Sequence, residues 1–291
     1  MPAPSQSPIW KYGSSAGIGL TVVLVATFAF AAMRAIGIFG PAGLRWLLPL
    51  GFLLMAVAPW ALLNQRGRND IGLTLPSSLS HYTWATVVGA LAAITCFFIG
   101  YALFGTGDGN WFMSTANYYY TSLDTTGFTI VKLHLVFTLP ALAFSPIGEE
   151  IFFRGLLQRA LEEQLSIKSS TIVECAVFGV VHLCHHGLLF TAAGITILPF
   201  SAGIWVILMF SVALLFAWHR RRSGSLYPAI VSHSSFNLTM NIIIFSVLWR
   251  FVHRAPTEYF IRGRSAAFEP LRPRSTSATD RKQNFAWSEV E

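Results

Sequence analysis

Two adjacent carboxylates and an arginine stand in the stretch Ser145-Pro146-Ile147-Gly148-Glu149-Glu150-Ile151-Phe152-Phe153-Arg154-Gly155, at the end of an apolar run from Val131 to Phe144. Ionisable groups inside or just beneath a bilayer are costly, and by default they mark a functional site. On a helix Glu150 and Arg154 are i and i+4 and can pair, which offsets part of the burial cost. Glu149 is turned about 100° from Glu150 and must face a different partner. The bland alternative is a helix end at the interface with both glutamates in water.

Two histidines extend the set. Phe178 lies one helical turn before His182, close enough to pack on its ring, and Asn237 lies one turn after His233 on the same face. A glutamate with a histidine can position and deprotonate a water, and a second histidine with an asparagine can donate to an oxyanion. That combination suits amide hydrolysis. Ser145, Ser232 and Cys184 lie nearby, but none sits in a nucleophile motif such as GxSxG. Glu149, His182 and His233 could instead hold Zn²⁺ with a water in the open position, although without HExxH no metal is specified. For His134, His185, His186 and His219 the simpler reading is a ring satisfied by a neighbouring helix or exposed at the interface.

The elements that must position these groups are membrane spans. The 291 residues are 54% hydrophobic and 11% charged, with 24 Phe and 9 Trp, which excludes a soluble domain. Cys96, Cys175 and Cys184 lie in apolar runs without CxxC spacing and read as core residues. The surplus of 20 Lys+Arg over 13 Asp+Glu is spread over loops and tail, which points to positive-inside topology and contact with lipid, not nucleic acid. The first apolar run is too long for a signal-peptide core and is expected to be retained.

Seven spans are expected, at about residues 16–33, 46–63, 83–104, 130 to beyond 154 (with the Glu149–Arg154 stretch toward its end), 171–190, 201–218 and 226–248. Residues 105–127 form the longest polar loop, anchored at the interface by Trp111 and Tyr118-Tyr119-Tyr120. Residues 159–170 are a polar connection, and 191–200 an uncharged Gly/Pro-containing segment. Residues 1–249 make one integral membrane domain with its motif-bearing core at 131–249, and 250–291 a loosely ordered polar tail. The basic loops after the second, fourth and sixth spans fall on one side with the N-terminus, which makes that side cytoplasmic. On these boundaries Glu149, His182 and His233 lie about eight to eleven residues from the same face, or roughly 12–17 Å at 1.5 Å per residue.

At these residues the sequence resembles the CAAX protease and bacteriocin-processing family, also called the Abi family, which includes the type II CAAX prenyl endopeptidase. The family's EExxxR stands here as Glu149-Glu150-Ile151-Phe152-Phe153-Arg154, its FxxxH as Phe178-Gly179-Val180-Val181-His182, and its HxxxN as His233-Ser234-Ser235-Phe236-Asn237. The resemblance covers about residues 140–240. It implies an all-α, polytopic integral membrane helix bundle, typically with eight spans against the seven counted here. It also implies an intramembrane endopeptidase acting on a membrane-embedded or lipid-attached protein or peptide, in the inner membrane if the host is bacterial. By that analogy Glu149 with His182 activates the water, His233 with Asn237 stabilises the oxyanion, and Glu150 with Arg154 holds the site's geometry. Phe153 and Phe178 are the candidates for contact with substrate. Some relatives act instead as bacteriocin-immunity or scaffolding proteins, and a proton relay or transporter would also use intramembrane Glu and His.

Overall fold

The computed structural model describes residues 9–11, 15–123, 125–191 and 194–252, with the backbone alone at 189–191 and 194–195. The first helix, α1 (Ala16–Phe39), is capped by Ser15 and runs past Arg34, where the sequence suggested an end. Nothing in Ala35–Phe39 breaks a helix, and the chain turns only at Gly40-Pro41. Arg34 therefore lies within the span. Then follow α2 (Leu47–Leu62), the short α3 (Gln65–Asp70) and α4 (Ser80–Phe104).

The expected polar loop after α4 contains a further helix, α5 (Trp111–Ser122), capped by the Asn110 side chain. Trp111 is no interface anchor: it is buried and donates its indole N–H to the Cys96 carbonyl at 3.1 Å. Next comes α6 (Ile130–Glu149), which passes directly into a π-helical stretch over Glu150–Leu157 and then α7 (Gln158–Glu162). The helix α8 (Ile167–Val181) starts earlier than expected and stops at a 3-10 turn over His182–Cys184. His182 thus sits at a helix end, and the uncharged segment after it forms a two-stranded sheet, β1 (Leu188–Thr191) with β2 (Gly194–Ile197). Two long helices close the fold, α9 (Pro199–Ser223) and α10 (Tyr227–Ile243), the latter extended by a π-helical stretch over Ile244–Leu248 and α11 (Trp249–Val252).

Seven helical runs among the described residues are long and apolar enough to cross a bilayer: Ala16–Phe39, Ala42–Leu62, Ser80–Phe104, Ile130–Glu162, Ile167–Cys184, Pro199–Ser223 and Tyr227–Val252. Their outward faces carry exposed Leu, Val, Ile, Phe and Trp, as a lipid-facing surface requires. The protein is an all-α integral membrane bundle. Residues 253–291, most of the expected tail, lie outside the described residues.

The helix α10 is central, packed against α4, α6 and α9, while α6 also packs on α2 and α8 on α9. Between helices in lipid the attraction is chiefly close packing, so small residues mark the contacts. A Cβ at Gly89 of α4 would collide with the Ser232 carbonyl of α10, and one at Gly148 of α6 with the Phe52 carbonyl of α2. The second contact fixes the backbone one residue before Glu149.

The basic loops meet at one end of the bundle, as the charge pattern required. Arg220 and Arg221 pair with Glu162, Arg220 also reaches the Asp70 and Ile71 carbonyls, and Trp10 donates to Glu163 at 2.8 Å. The segments at 9–11, 66–71, 159–163 and 219–222 therefore share an end, as the sequence reading expected of the loops after the second, fourth and sixth spans.

Candidate active site

Pro146 begins the construction of the site. It has no N–H to give the Leu142 carbonyl one turn back, and that carbonyl accepts instead from Ser234 Oγ of α10 at 2.8 Å. One residue earlier, the Ala141 carbonyl accepts from Asn237 Nδ2 at 2.9 Å. The Leu142 carbonyl that the proline leaves free, together with the Ala141 carbonyl, ties α6 to the face of α10 carrying His233. Immediately afterwards the chain widens into the π-helical stretch, a form that recurs at functional sites. This is not the α-helix expected from the motif spacing, but it still sends Glu149 and Glu150 in different directions.

Glu149 faces α1. Its Oε1 pairs with Arg34 Nη2, both side chains almost fully buried at 1% and 2% exposure, and also accepts from Ser145 Oγ at 3.0 Å. Its Oε2 lies 3.7 Å from His182 Nε2. The His182 Nδ1 is 2.7 Å from the Phe178 carbonyl, and since a carbonyl can only accept, Nδ1 carries the hydrogen. In the neutral ring Nε2 is therefore a lone-pair acceptor aimed toward the carboxylate. The His182 ring packs on Phe178 with centroids 4.2 Å apart, as the i, i+4 spacing suggested. His185, read from sequence as peripheral, stands with its ring centroid 5.5 Å from that of His182. Burial, and then the Arg34 guanidinium, push its pKa down to about 3, so it is neutral.

Glu150 faces the interior. Its Oε1 accepts from His233 Nδ1 at 2.8 Å, and its Oε2 lies 3.2 Å from Arg154 Nε, the expected i, i+4 pair. Arg154 is wholly buried and stands between two carboxylates, since Glu174 Oε1 is 3.6 Å from the same nitrogen. Its guanidinium also lies over the Phe178 ring at 3.9 Å. The His233 ring stacks on Phe216 at 4.9 Å, which fixes its plane while Glu150 fixes its rotation.

The structure therefore brings Glu149, Glu150, Arg154, His182 and His233 into one cluster and ties Asn237 to the broken turn of α6. Phe153 and Phe178 are 1% exposed and pack edge to face at 5.3 Å. One face of Phe178 carries Arg154 and its ring touches His182, so it forms the wall between the two halves of the site. Zinc ligation would ask donor atoms of Glu149, His182 and His233 to converge on one point. Each of His182 and His233 commits Nδ1 to a carbonyl or carboxylate, as metal ligands do. Yet among the described residues no three His, Cys, Asp or Glu side chains converge as a ligand set. Glu149 is moreover already neutralised by Arg34.

Sequence reasoning missed Arg34, Glu174 and His185. Arg34 is a charge flanked on both sides by apolar residues of one span, which is itself the signal of an intramembrane site. Glu174, Phe178 and His182 recur every four residues on one helix face. No match was found among curated proteins or solved structures. Residues 131–239 match the family model described as type II CAAX prenyl endopeptidase Rce1-like. That segment holds all three motifs, and over it the chain is similar to that family of CAAX proteases.

Proposed function

We propose that the protein is an intramembrane endopeptidase that hydrolyses a peptide bond in a membrane-embedded or lipid-attached substrate with a water activated by Glu149 and His182. The observation that carries this reading is the 3.7 Å separation of Glu149 Oε2 and His182 Nε2. The two atoms are too far apart to bond each other, but a water to one side of the line between them can reach both at about 2.8 Å. Both are acceptors, so they take the two O–H groups and leave an oxygen lone pair free for the scissile carbonyl.

In this mechanism the water oxygen bonds to the carbonyl carbon and its proton passes to Glu149 or His182. His233, oriented by Glu150, faces the developing oxyanion together with the Asn237 amide. With Nδ1–H committed to Glu150, Nε2 of His233 has a hydrogen to donate only as imidazolium. The C–N bond then breaks as the proton held by the Glu149–His182 pair moves to the leaving nitrogen. Arg154 holds Glu150, and Phe178 separates the water-activating half from the oxyanion half. No step passes through a metal.

The protease domain in this reading is residues 1–249, with the N-terminus and the end carrying Arg66, Arg68, Arg159 and Arg220–Arg222 in the cytoplasm. The test is incubation of the purified full chain with peptides of its host's membranes, comparing wild type with Glu149→Ala. New peptide termini that appear only with the wild type support the reading. Identical peptide sets from both would end it.

A further inference from the structure

We infer that Asn241 is a substrate-binding residue, whose Nδ2 donates to the peptide carbonyl two residues from the scissile one. The inference rests on the protease reading above and adds a contact to that site. Asn241 is 0% exposed near the end of α10, and its Oδ1 accepts from the Tyr119 hydroxyl of α5 at 3.0 Å. Its Nδ2 is buried without a hydrogen-bond partner among the described residues. An amide nitrogen has two hydrogens to give, and leaving them unmade away from water is costly. A residue that served only to receive the Tyr119 hydroxyl would need no such nitrogen.

The place of Asn241 on α10 says what that nitrogen meets. It stands one turn beyond Asn237, rotated from it by about 40° and displaced along the helix axis by about 6 Å. In an extended peptide, alternate carbonyls point to the same side and lie about 6.5–7 Å apart. With the scissile carbonyl at His233 and Asn237, the next carbonyl on that side therefore falls at the level of Asn241. The surroundings there are aromatic, since Tyr119 stacks on Phe137 of α6 at 4.3 Å and on Phe245 at 6.0 Å. Beyond Asn241 the helix widens into the π-helical stretch at Ile244–Leu248, as α6 widens at Glu150 beside the catalytic pair. Enclosure does not set Asn241 apart from the site, because Glu149 at 1% and His233 at 5% exposure are shut in as well.

The experiment uses the purified full chain in detergent with a fluorophore-labelled S-farnesyl peptide ending in cysteine and three further residues, since the matched family is described as a prenyl endopeptidase. Mass spectrometry of the products locates the scissile bond. Two analogues then carry a trans-alkene in place of one peptide group, which removes the carbonyl two residues before or two residues after the scissile one. For wild type one analogue should lose at least about fivefold in kcat/KM, mostly through KM, and the other less than about twofold. In Asn241→Leu the parent peptide should fall by a similar factor, and the sensitive analogue should fall no further. The wild-type comparison needs no variant to fold. A wild type that cuts both analogues as well as the parent overturns the inference and leaves the protease reading standing. So does a penalty on an analogue that persists undiminished in Asn241→Leu, or a variant that cuts all three peptides more slowly by one common factor. A parent peptide left uncut, with no new termini among the host's membrane peptides either, ends the protease reading and the inference with it.

Discussion

Replacing Arg154 by methionine keeps most of the side-chain volume and removes the one cation shared by Glu150 and Glu174. All three side chains are 0% exposed, so water cannot take over the role. Breaking a buried pair in this way costs about 3–5 kcal/mol, chiefly from the charge left unpaired. For a chain of this size each kcal/mol lowers Tm by about 2–4 °C, so a fall of roughly 6–20 °C is expected in a detergent thermal scan. Because two carboxylates compete for one arginine, Glu174→Gln in the Arg154→Met background should restore part of the loss. The coupling in that double-mutant cycle should exceed about 1 kcal/mol. Arg154→Lys should recover only partly, since an ammonium cannot present the fork to both partners and does not stack on Phe178 in the same way. Peptide cleavage should fall with Glu150's hold on His233. An Arg154→Met protein with wild-type Tm, or strictly additive cycle energies, would refute the shared-cation argument.

Three further outcomes follow from the geometry. Asn237→Ala removes one neutral hydrogen bond to Ala141, worth about 1 kcal/mol, so Tm should move by only a few degrees while kcat falls about 10²–10³-fold if the amide serves the oxyanion; a lower Tm with unchanged kcat would assign it to holding helices. His186, bonded to Ser114 Oγ at 2.7 Å and Ser201 Oγ at 3.0 Å, has its pKa lowered by burial to about 4. The unfolded chain therefore takes the proton first, and stability complete above about pH 6.5 should drain by about 3 kcal/mol toward pH 4, a loss that His186→Gln should reduce in scans across that range. Gly148→Ala should drive α6 off the Phe52 backbone and lower both Tm and cleavage, whereas Gly203→Ala, where a Cβ meets nothing, should leave both unchanged.

The sequence reading located the seven spans and the cluster because both rest on strong local signals, apolar length and charges set in apolar surroundings. The opposite directions of Glu149 and Glu150 were legible from helical rotation alone. Glu149's partner was not, because Arg34 is 115 residues away and a charge followed by Gly-rich sequence resembles a span end. The π-helical stretch has no sequence period of its own, and it arises here directly after a proline turn whose freed Leu142 carbonyl bonds to α10. α5 was hidden for a related reason: its Tyr and Trp residues suit an interface as well as a buried helix, and the Asn110 cap was the available signal. Depth counted from span ends used wrong boundaries for α8, where the helix begins at Ile167 and breaks at His182. The three groups meet nonetheless, since residues on packed helices are brought together by contacts such as Glu150–His233 and not by equal counts from an end.

The central claim, that Glu149 and His182 activate water directly, is tested most sharply by single-turnover cleavage in H₂¹⁸O with wild type and Glu149→Gln. The account predicts one ¹⁸O in the newly formed peptide carboxyl, none in the Glu149 side chain, a rate unaffected by exhaustive chelation, and a loss of about 10²–10⁴-fold in the folded Glu149→Gln protein. Label in Glu149 itself, or cleavage by Glu149→Gln at the wild-type rate, would contradict it, as would one bound metal per chain that disappears in both His182→Ala and His233→Ala.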